Sequence, residues 1–184
     1  MMLRTLQDRD GLKLNLGCGS MRMEGYVNID IVPTKATDLV QNILDLPMVR
    51  ANSAEEIFLH GVFEHLYAYE QELALREWYR VLRPGGRLVM RGIPDFDLVV
   101  QAYVKRARGV TRPVFDLWDT YRYTHGDPRP DNSPAQLHKD LLTKEKVKGL
   151  LTATGFRVAA IEEGRDVGEP FPLSFNVDAI KPLD

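Results

Sequence analysis

One cysteine, Cys18, stands in a chain of 184 residues. A lone thiol has no partner within the chain for a disulfide, which favours a reducing compartment. No apolar run approaches the roughly 20 residues that a membrane span needs. The opening decapeptide MMLRTLQDRD lacks the apolar core of a signal peptide. These absences predict a cytoplasmic protein without a membrane partner. Bias of charge is missing too: 24 Lys and Arg against 26 Asp and Glu leave a formal net charge of −2. That balance gives no support for nucleic acid as a partner. Two phosphate motifs are also absent. No Gly-Lys-Ser/Thr follows a glycine loop, and the pattern G-x-G-x-x-G fails at Arg22.

What is present is ordinary in bulk and informative in order. A content of 44% hydrophobic and 27% charged residues suits one domain large enough to bury a core. The stretch Leu12–Ile31 reads LKLNLGCGSMRMEGYVNIDI. Leu12, Leu14 and Leu16 alternate with polar residues and run into Gly17-Cys18-Gly19, a buried strand breaking into a glycine turn. Glycines here let the backbone reach unusual φ values and let a ligand approach the main chain. A second apolar run, Tyr26–Ile31, carries Asp30 near its end. Nucleotide-type folds hold a ribose through an acid at that place. The acid comes 13 residues after Gly17, against about 20 in the dinucleotide fingerprint. A nucleoside-containing cofactor therefore fits better than a dinucleotide.

Along the chain, residues 1–11 read as a short leading helix. The link from Gly19 to Tyr26 is too short for a full crossover helix. Asp38–Gln41 is the next candidate strand and Ala54–His60 the fourth. Ala74, Trp78, Val81 and Leu82 fall on one stripe and predict a helix over Glu70–Arg83, stopped by Pro84-Gly85-Gly86. Arg87–Ile93 reads as a strand broken by Pro94-Asp95, and Phe96–Ala107 as a returning helix. Residues 108–138 mix arginines, aromatics and the proline-rich loop Asp127–Pro134. Thr143 caps a predicted helix that ends at Gly155. Phe156–Ile161 and Ser174–Ile180 read as a closing antiparallel pair. Alternating strands and helices imply a doubly wound α/β sheet, whose ligands bind beyond the carboxyl ends of the strands. Gly17–Gly19, Asp30, Asn42, His60 and Pro94-Asp95 all fall at such ends.

Four ordered motifs carry a resemblance: LNLGCG at Leu14–Gly19, G-Y-x-N-x-D at Gly25–Asp30, EHL at Glu64–Leu66, and RVL-x-PGG at Arg80–Gly86. Together they resemble the small class I S-adenosylmethionine-dependent methyltransferases. The resemblance runs from about Leu12 through the Gly155-Phe156 strand and its closing partner. It implies a Rossmann-like, seven-stranded sheet with an antiparallel last strand, spanning 1–184 as one domain, with 95–138 as an acceptor-side lid. It implies S-adenosylmethionine as cofactor and S-adenosylhomocysteine as product. It also implies a cofactor set of Leu16, Gly17, Cys18, Gly19, Asp30, Ile31, Asn42, Ile43, His60, Gly61 and His65. Gly17 and Gly19 would lie against the methionine part and Asp30 would take the ribose hydroxyls. Asn42, or Asp45 in its place, would hold the adenine. Three departures from the superfamily pattern are shared with this small subfamily: Asn15 in place of an acid, Met21 in place of a third glycine, and a short segment 20–25.

Candidate catalytic groups carry alternatives. Asp95 could reach an acceptor proton from a strand end, or could cap the helix that starts at Phe96. His125 and His138 sit in the irregular segment and could each take a proton. His138 is favoured, because H-K, a helix and then GF match the resembled subfamily. Cys18 reads as a nucleophile or a small filler, the latter favoured because nothing nearby in sequence lowers its pKa. The arginines of 105–112 are a solvated face or an attractor for an anionic acceptor. No metal is expected: His60 and His65 are five apart, about 140° around a helix, instead of the four of H-E-x-x-H. The expected reaction is in-line methyl transfer to a small-molecule or glycan-precursor acceptor. A non-catalytic module that binds the same cofactor, or an aminopropyl transferase, are the rivals. Thin helical cover of one sheet face raises a homodimer as an expectation.

Overall fold

A computed structural model describes residues 11–126, 134–165 and 168–183. Seven strands form one sheet in the order β3-β2-β1-β4-β5-β7-β6. They are β1 (Leu12–Leu16), β2 (Val27–Asp30), β3 (Leu39–Val40), β4 (Ala54–His60), β5 (Leu82–Pro94), β6 (Arg157–Gly164) and β7 (Ser174–Ile180). The first five run parallel, and β7 is antiparallel to both β5 and β6. This is the expected doubly wound sheet with its antiparallel end. Chain order reverses between β1 and β4, which opens a crevice at that point.

Helices α1 (Ala68–Val81) and α4 (Lys144–Thr154) pack on strands and on each other, so they cover the same face. Leu12, Leu14, Leu16, Ile57, Leu88, Trp78, Val147 and Leu151 meet there in the main core. Thr143 Oγ1 accepts the Lys146 N–H at 3.2 Å as the expected cap, and Gly155 ends α4 with φ +107°. Helices α2 (Phe96–Val104) and α3 (Leu117–His125) form a second cluster, in which Val99, Ala102, Phe115 and Leu173 are buried.

Register puts Lys13, Asn15, Asn28, Glu56, Phe58 and Arg87 together on the opposite face of the sheet. This face is polar. Glu56 accepts the Tyr26 hydroxyl, Arg87 lies 3.7 Å from Glu56, and Arg91 pairs with Asp178 at 2.9 Å. Burial, then Glu56, pushes the Tyr26 phenol up to about 12.

Several element ends differ from the sequence reading. α1 starts two residues earlier than Glu70 and stops at Val81. Leu82 already has extended backbone, and β5 takes in the Pro84–Gly86 turn through an irregular register against β4. α2 stops at Val104 instead of Ala107, and Arg106 then takes a positive φ. α3 was not foreseen. Asp116 opens it by accepting the Trp118 and Asp119 N–H groups. The expected leading helix falls, apart from Gly11, outside the described residues, as does most of the proline-rich loop.

Candidate functional site

The short link after β1 is held without a crossover helix. Asn15, fully buried, donates from Nδ2 to the Met21 carbonyl and to Asn28 Oδ1, each at 2.9 Å. Asn28 Oδ1 also accepts the Met23 N–H, and Asn28 donates through its N–H and Nδ2 to Asp38 Oδ2. Arg22 pairs with the other Asp38 oxygen at 2.7 Å. Burial pushes Asp38 up, but the two Asn28 bonds and Arg22 outweigh it and hold the carboxyl below its ordinary value. The asparagines of the LNLG and G-Y-x-N-x-D motifs therefore stitch residues 21–23 onto β1 and β2, and the acid common at position 15 is replaced by a neutral donor.

This stitching leaves Gly17–Met21 exposed to a pocket of about 360 Å³. Gly17 and Gly19 both take positive φ. A Cβ on Gly19 would meet nothing within 4 Å, so the main chain there borders open space. Asp30, at the end of β2, accepts the Gly19 N–H at 2.7 Å through Oδ2 and the Val32 N–H at 2.9 Å through Oδ1. An ionised carboxylate has about four lone-pair sites, so two remain for hydroxyl donors. Asn42 Oδ1 accepts the Leu44 N–H at 3.0 Å, which fixes the turn of Asn42, Ile43 and Leu44 along the pocket wall. Trp78 and Arg80 of α1 hold this loop from behind, through the Ile43, Leu46 and Val49 carbonyls.

Ten of the eleven residues expected around a cofactor line the pocket: Gly17, Cys18, Gly19, Asp30, Ile31, Asn42, Ile43, His60, Gly61 and His65. Leu16 does not; it is a fully buried core residue. Asp45, the alternative to Asn42, is outside the lining as well. Cys18 is buried to 3% exposure, and burial pushes its thiol up, so a thiolate is disfavoured.

Beyond His60 the chain makes a 3-10 turn, Phe63–His65, that turns back against residues 137–139. Lys139 donates its N–H to the Glu64 carbonyl at 2.8 Å, and His65 Nδ1 contacts the Leu137 carbonyl at 3.2 Å. These bonds bring Gln136 and Lys139 to the pocket, facing Leu66 and Glu70. The sequence held no periodic signal for this second wall; only the H-K pair hinted at it. His138 lies behind His65, rings edge-on at 5.1 Å, and its Nδ1 contacts the Tyr123 carbonyl at 2.9 Å. Burial pushes the His138 imidazole down to about 4 and lowers that of His65, against the opposing pull of their carbonyl partners. Both rings are neutral at pH 7.

The other catalytic candidates lie elsewhere. Asp95 is 2% exposed, accepts the Asp97 N–H at 3.1 Å and sits 3.4 Å from Lys144, so its contacts are those of a helix cap. His125 stacks on Tyr121 at 4.8 Å on the exposed side of α3 and contacts Thr124 Oγ1. Neither lines the pocket. A larger cavity, about 440 Å³, lies between Arg108 and Arg165, away from the strand ends of the sheet's reversal point. Four strand ends converge on the smaller pocket.

Residues 14–90 match the family model described as a methyltransferase domain. That stretch is the first pocket wall, β1 through most of β5, in a seven-stranded sheet of the matching order. The chain thus has the class I methyltransferase fold, and this stretch is similar in sequence to a methyltransferase domain. No curated protein matches this methyltransferase-fold chain in sequence. Among solved structures it is similar to an S-adenosylmethionine-dependent methyltransferase from Methanosarcina mazei. Identity is 17%, the TM-score is 0.62, and 100% of this chain and 98% of that one are covered. It is also similar to the 1,6-didemethyltoxoflavin-N1-methyltransferase of Burkholderia thailandensis, which was solved with 1,6-didemethyltoxoflavin and S-adenosylhomocysteine. Identity there is 14%, the TM-score 0.61, and coverage 98% and 75%. The [4+2]-cyclase SpnF is similar at 14% identity and a TM-score of 0.57, covering 100% and 79%. At these identities the likeness is one of fold. Among the described residues no helix is long and apolar enough to cross a membrane.

Proposed function

We propose that the pocket at the ends of β1, β2, β3 and β4 holds S-adenosylmethionine and that the chain transfers its methyl group to a small-molecule acceptor. The observation that carries this reading is the pairing of an unobstructed Gly19 backbone with an Asp30 carboxylate that keeps acceptor capacity. When bound, S-adenosylmethionine supplies an electrophilic methyl on a sulfonium, which a nucleophile displaces in line. Asp30 would hold the ribose hydroxyls, Gly17–Gly19 would border the methionine part, and Asn42–Leu44 would border the adenine. The chain's own task is alignment, which supplies much of the rate in such a displacement.

The acceptor would enter from the wall formed by Glu70, Gln136 and Lys139, with His65 at its border with the other cofactor residues. His65 is neutral at pH 7 and stands at that border, so it is better placed than Asp95 to receive a proton. His138 would act through His65, by positioning it. A pocket of about 360 Å³ fits a cofactor and a modest acceptor, not a polymer surface. Residues 95–138 build the acceptor side only through their last segment in this reading, and a glycan precursor remains within the proposed acceptor class.

The test is calorimetric titration of S-adenosylhomocysteine into wild type, Asp30→Asn and Asp30→Ala. Micromolar binding by wild type, weakened about tenfold by Asn and 100-fold or more by Ala, is expected if the carboxylate takes two hydroxyls. Circular dichroism checks that each variant is folded. Equal affinity in all three folded proteins would remove the role of Asp30, and no binding by wild type would remove the reading.

A further inference from the structure

Glu64, His65 and His138 each offer a ligand atom, and these three atoms lie within 4.8 Å of one another. Spacing in sequence excluded His60 with His65 as a metal pair; the fold instead brings in His138 from 73 residues away. Glu64 is 4% exposed, and its Oε1 lies 4.0 Å from His65 Nε2. A carbonyl oxygen can only accept, so the Leu137 and Tyr123 carbonyls fix the proton of each ring on Nδ1. Nε2 of the neutral His138 ring then keeps its lone pair, while the His65 ring, which also has a backbone hydrogen bond with Gly61, presents Nε2 at 4.0 Å from Glu64 Oε1. This is the arrangement by which protein histidines are oriented as metal ligands, one ring nitrogen bonded to a carbonyl and the other directed at the ion.

We propose that Glu64, His65 and His138 form a binding site for one divalent transition ion of the Zn²⁺ or Fe²⁺ class. Two imidazoles and a carboxylate make a donor set that suits these ions and leaves coordination positions open. Bonds of about 2.0–2.2 Å require the donors to close by roughly 1 Å, which side-chain torsions of Glu64 and His138 supply. The scaffold is held apart from the ligands themselves: the Lys139 N–H to Glu64 carbonyl bond and the His138 N–H to His125 carbonyl bond clamp the two segments. His65 is shared with the pocket wall, so the ion sits at the pocket's edge. Its open positions accept an oxygen of the acceptor. With the ion bound, His65 Nε2 is a ligand and no longer a base, and the ion lowers the pKa of the bound hydroxyl so that its proton passes to water. The proposal rests on the pocket being the transfer site only for this last role; the ion site stands on its own donors.

The experiment titrates Zn²⁺ calorimetrically into tag-free, chelator-treated protein: wild type, Glu64→Gln, His65→Ala, His138→Ala and His138→Gln. One ion per chain in wild type is expected, with affinity lowered tenfold or more in every variant. His60→Ala and His125→Ala, whose residues lie outside the trio, should bind as wild type does. Circular dichroism reports folding of every variant, and titration of S-adenosylhomocysteine reports the pocket in wild type, Glu64→Gln and the two His138 variants, since His65 itself lines the pocket. Absence of Zn²⁺ binding in wild type, or variants that bind as wild type does, overturns the metal site. If S-adenosylhomocysteine still binds in that case, the methyltransferase reading survives. Zn²⁺ binding of the expected pattern without S-adenosylhomocysteine binding leaves the ion site and sinks the reading of the pocket.

Discussion

Gly17 and Gly19 both hold positive φ, +66° and +52°, against different surroundings. A methyl on Gly17 would stand 2.6 Å and 2.9 Å from the two methyls of Val62, while one on Gly19 meets nothing. Gly17→Ala should therefore cost about 2–3 kcal/mol, strain and overlap together, and lower the melting temperature by roughly 5–10 °C. Gly19→Ala should cost only about 1 kcal/mol but lower S-adenosylhomocysteine affinity at least tenfold, because its methyl would occupy open pocket space. Thermal melts with calorimetry check the contrast, and an equal loss of stability in both would contradict it. The same two glycines show what sequence could convey. A strand running into G-C-G marks a turn, and the acid 13 residues on marks its partner; local order along one chain segment encodes both. Leu16 lies outside the pocket lining because alternation puts it on the core face, one residue before the turn. Gln136 and Lys139 were not visible, since only tertiary hydrogen bonds from residues 64 and 65 bring them to the pocket.

Helix α1 shows how an element can serve the site from behind. Trp78, Glu77 and Arg80 hold the loop of residues 42–49 through Ile43, Leu46 and Val49, in place of a helix between β3 and β4. The Arg80 hydrogen bond, the largest influence on Glu77, keeps that carboxyl below its ordinary value of 4.5 despite burial. A depressed carboxylate stabilises the fold above its unfolded value, and the contribution is lost as pH falls through the folded value. The melting temperature of wild type should fall as pH drops below the ordinary value of 4.5, and Glu77→Gln should be less stable at neutrality with a shallower fall. Parallel slopes in the two proteins would show that Glu77 is not linked to folding. The apolar stripe made α1 legible, but not its ends, because Leu82 leaves the helix to pair with Ala54. α3 was missed for a physical reason. Its Trp118, Tyr121 and His125 stack on an exposed face, so it has no buried stripe, and the Asp116 cap was its one local signal.

For the whole molecule, the short links after β1 and β2 leave one sheet face without the usual crossover helices, as the sequence spacing required. The expectation of a second copy on that face rested on its thin helical cover. The face carries the ion pairs Arg87–Glu56 and Arg91–Asp178, Lys13 over the Tyr26 ring, and Phe58 among them. Charged groups on a solvated sheet face oppose edge and face association. Light scattering at micromolar concentration should give the mass of one chain, and a stable doubled mass would show that the face, or another, is an interface. A seven-stranded sheet with an antiparallel last strand was legible through the resemblance that the motifs carry, but the order 3-2-1-4-5-7-6 came from the structure. The pocket wall at residues 136–139 was not legible, because it is built from residues that share no pattern. The account rests on what the pocket at those strand ends holds. A crystal structure of the protein with S-adenosylhomocysteine tests that most directly. Ribose hydroxyls within hydrogen-bond distance of Asp30, the amino-acid part along Gly17–Gly19 and the sulfur turned toward the His65 and Lys139 wall are the predicted result. Ligand bound in the Arg108 and Arg165 cavity, or no ligand at the strand ends of a folded protein, would contradict it.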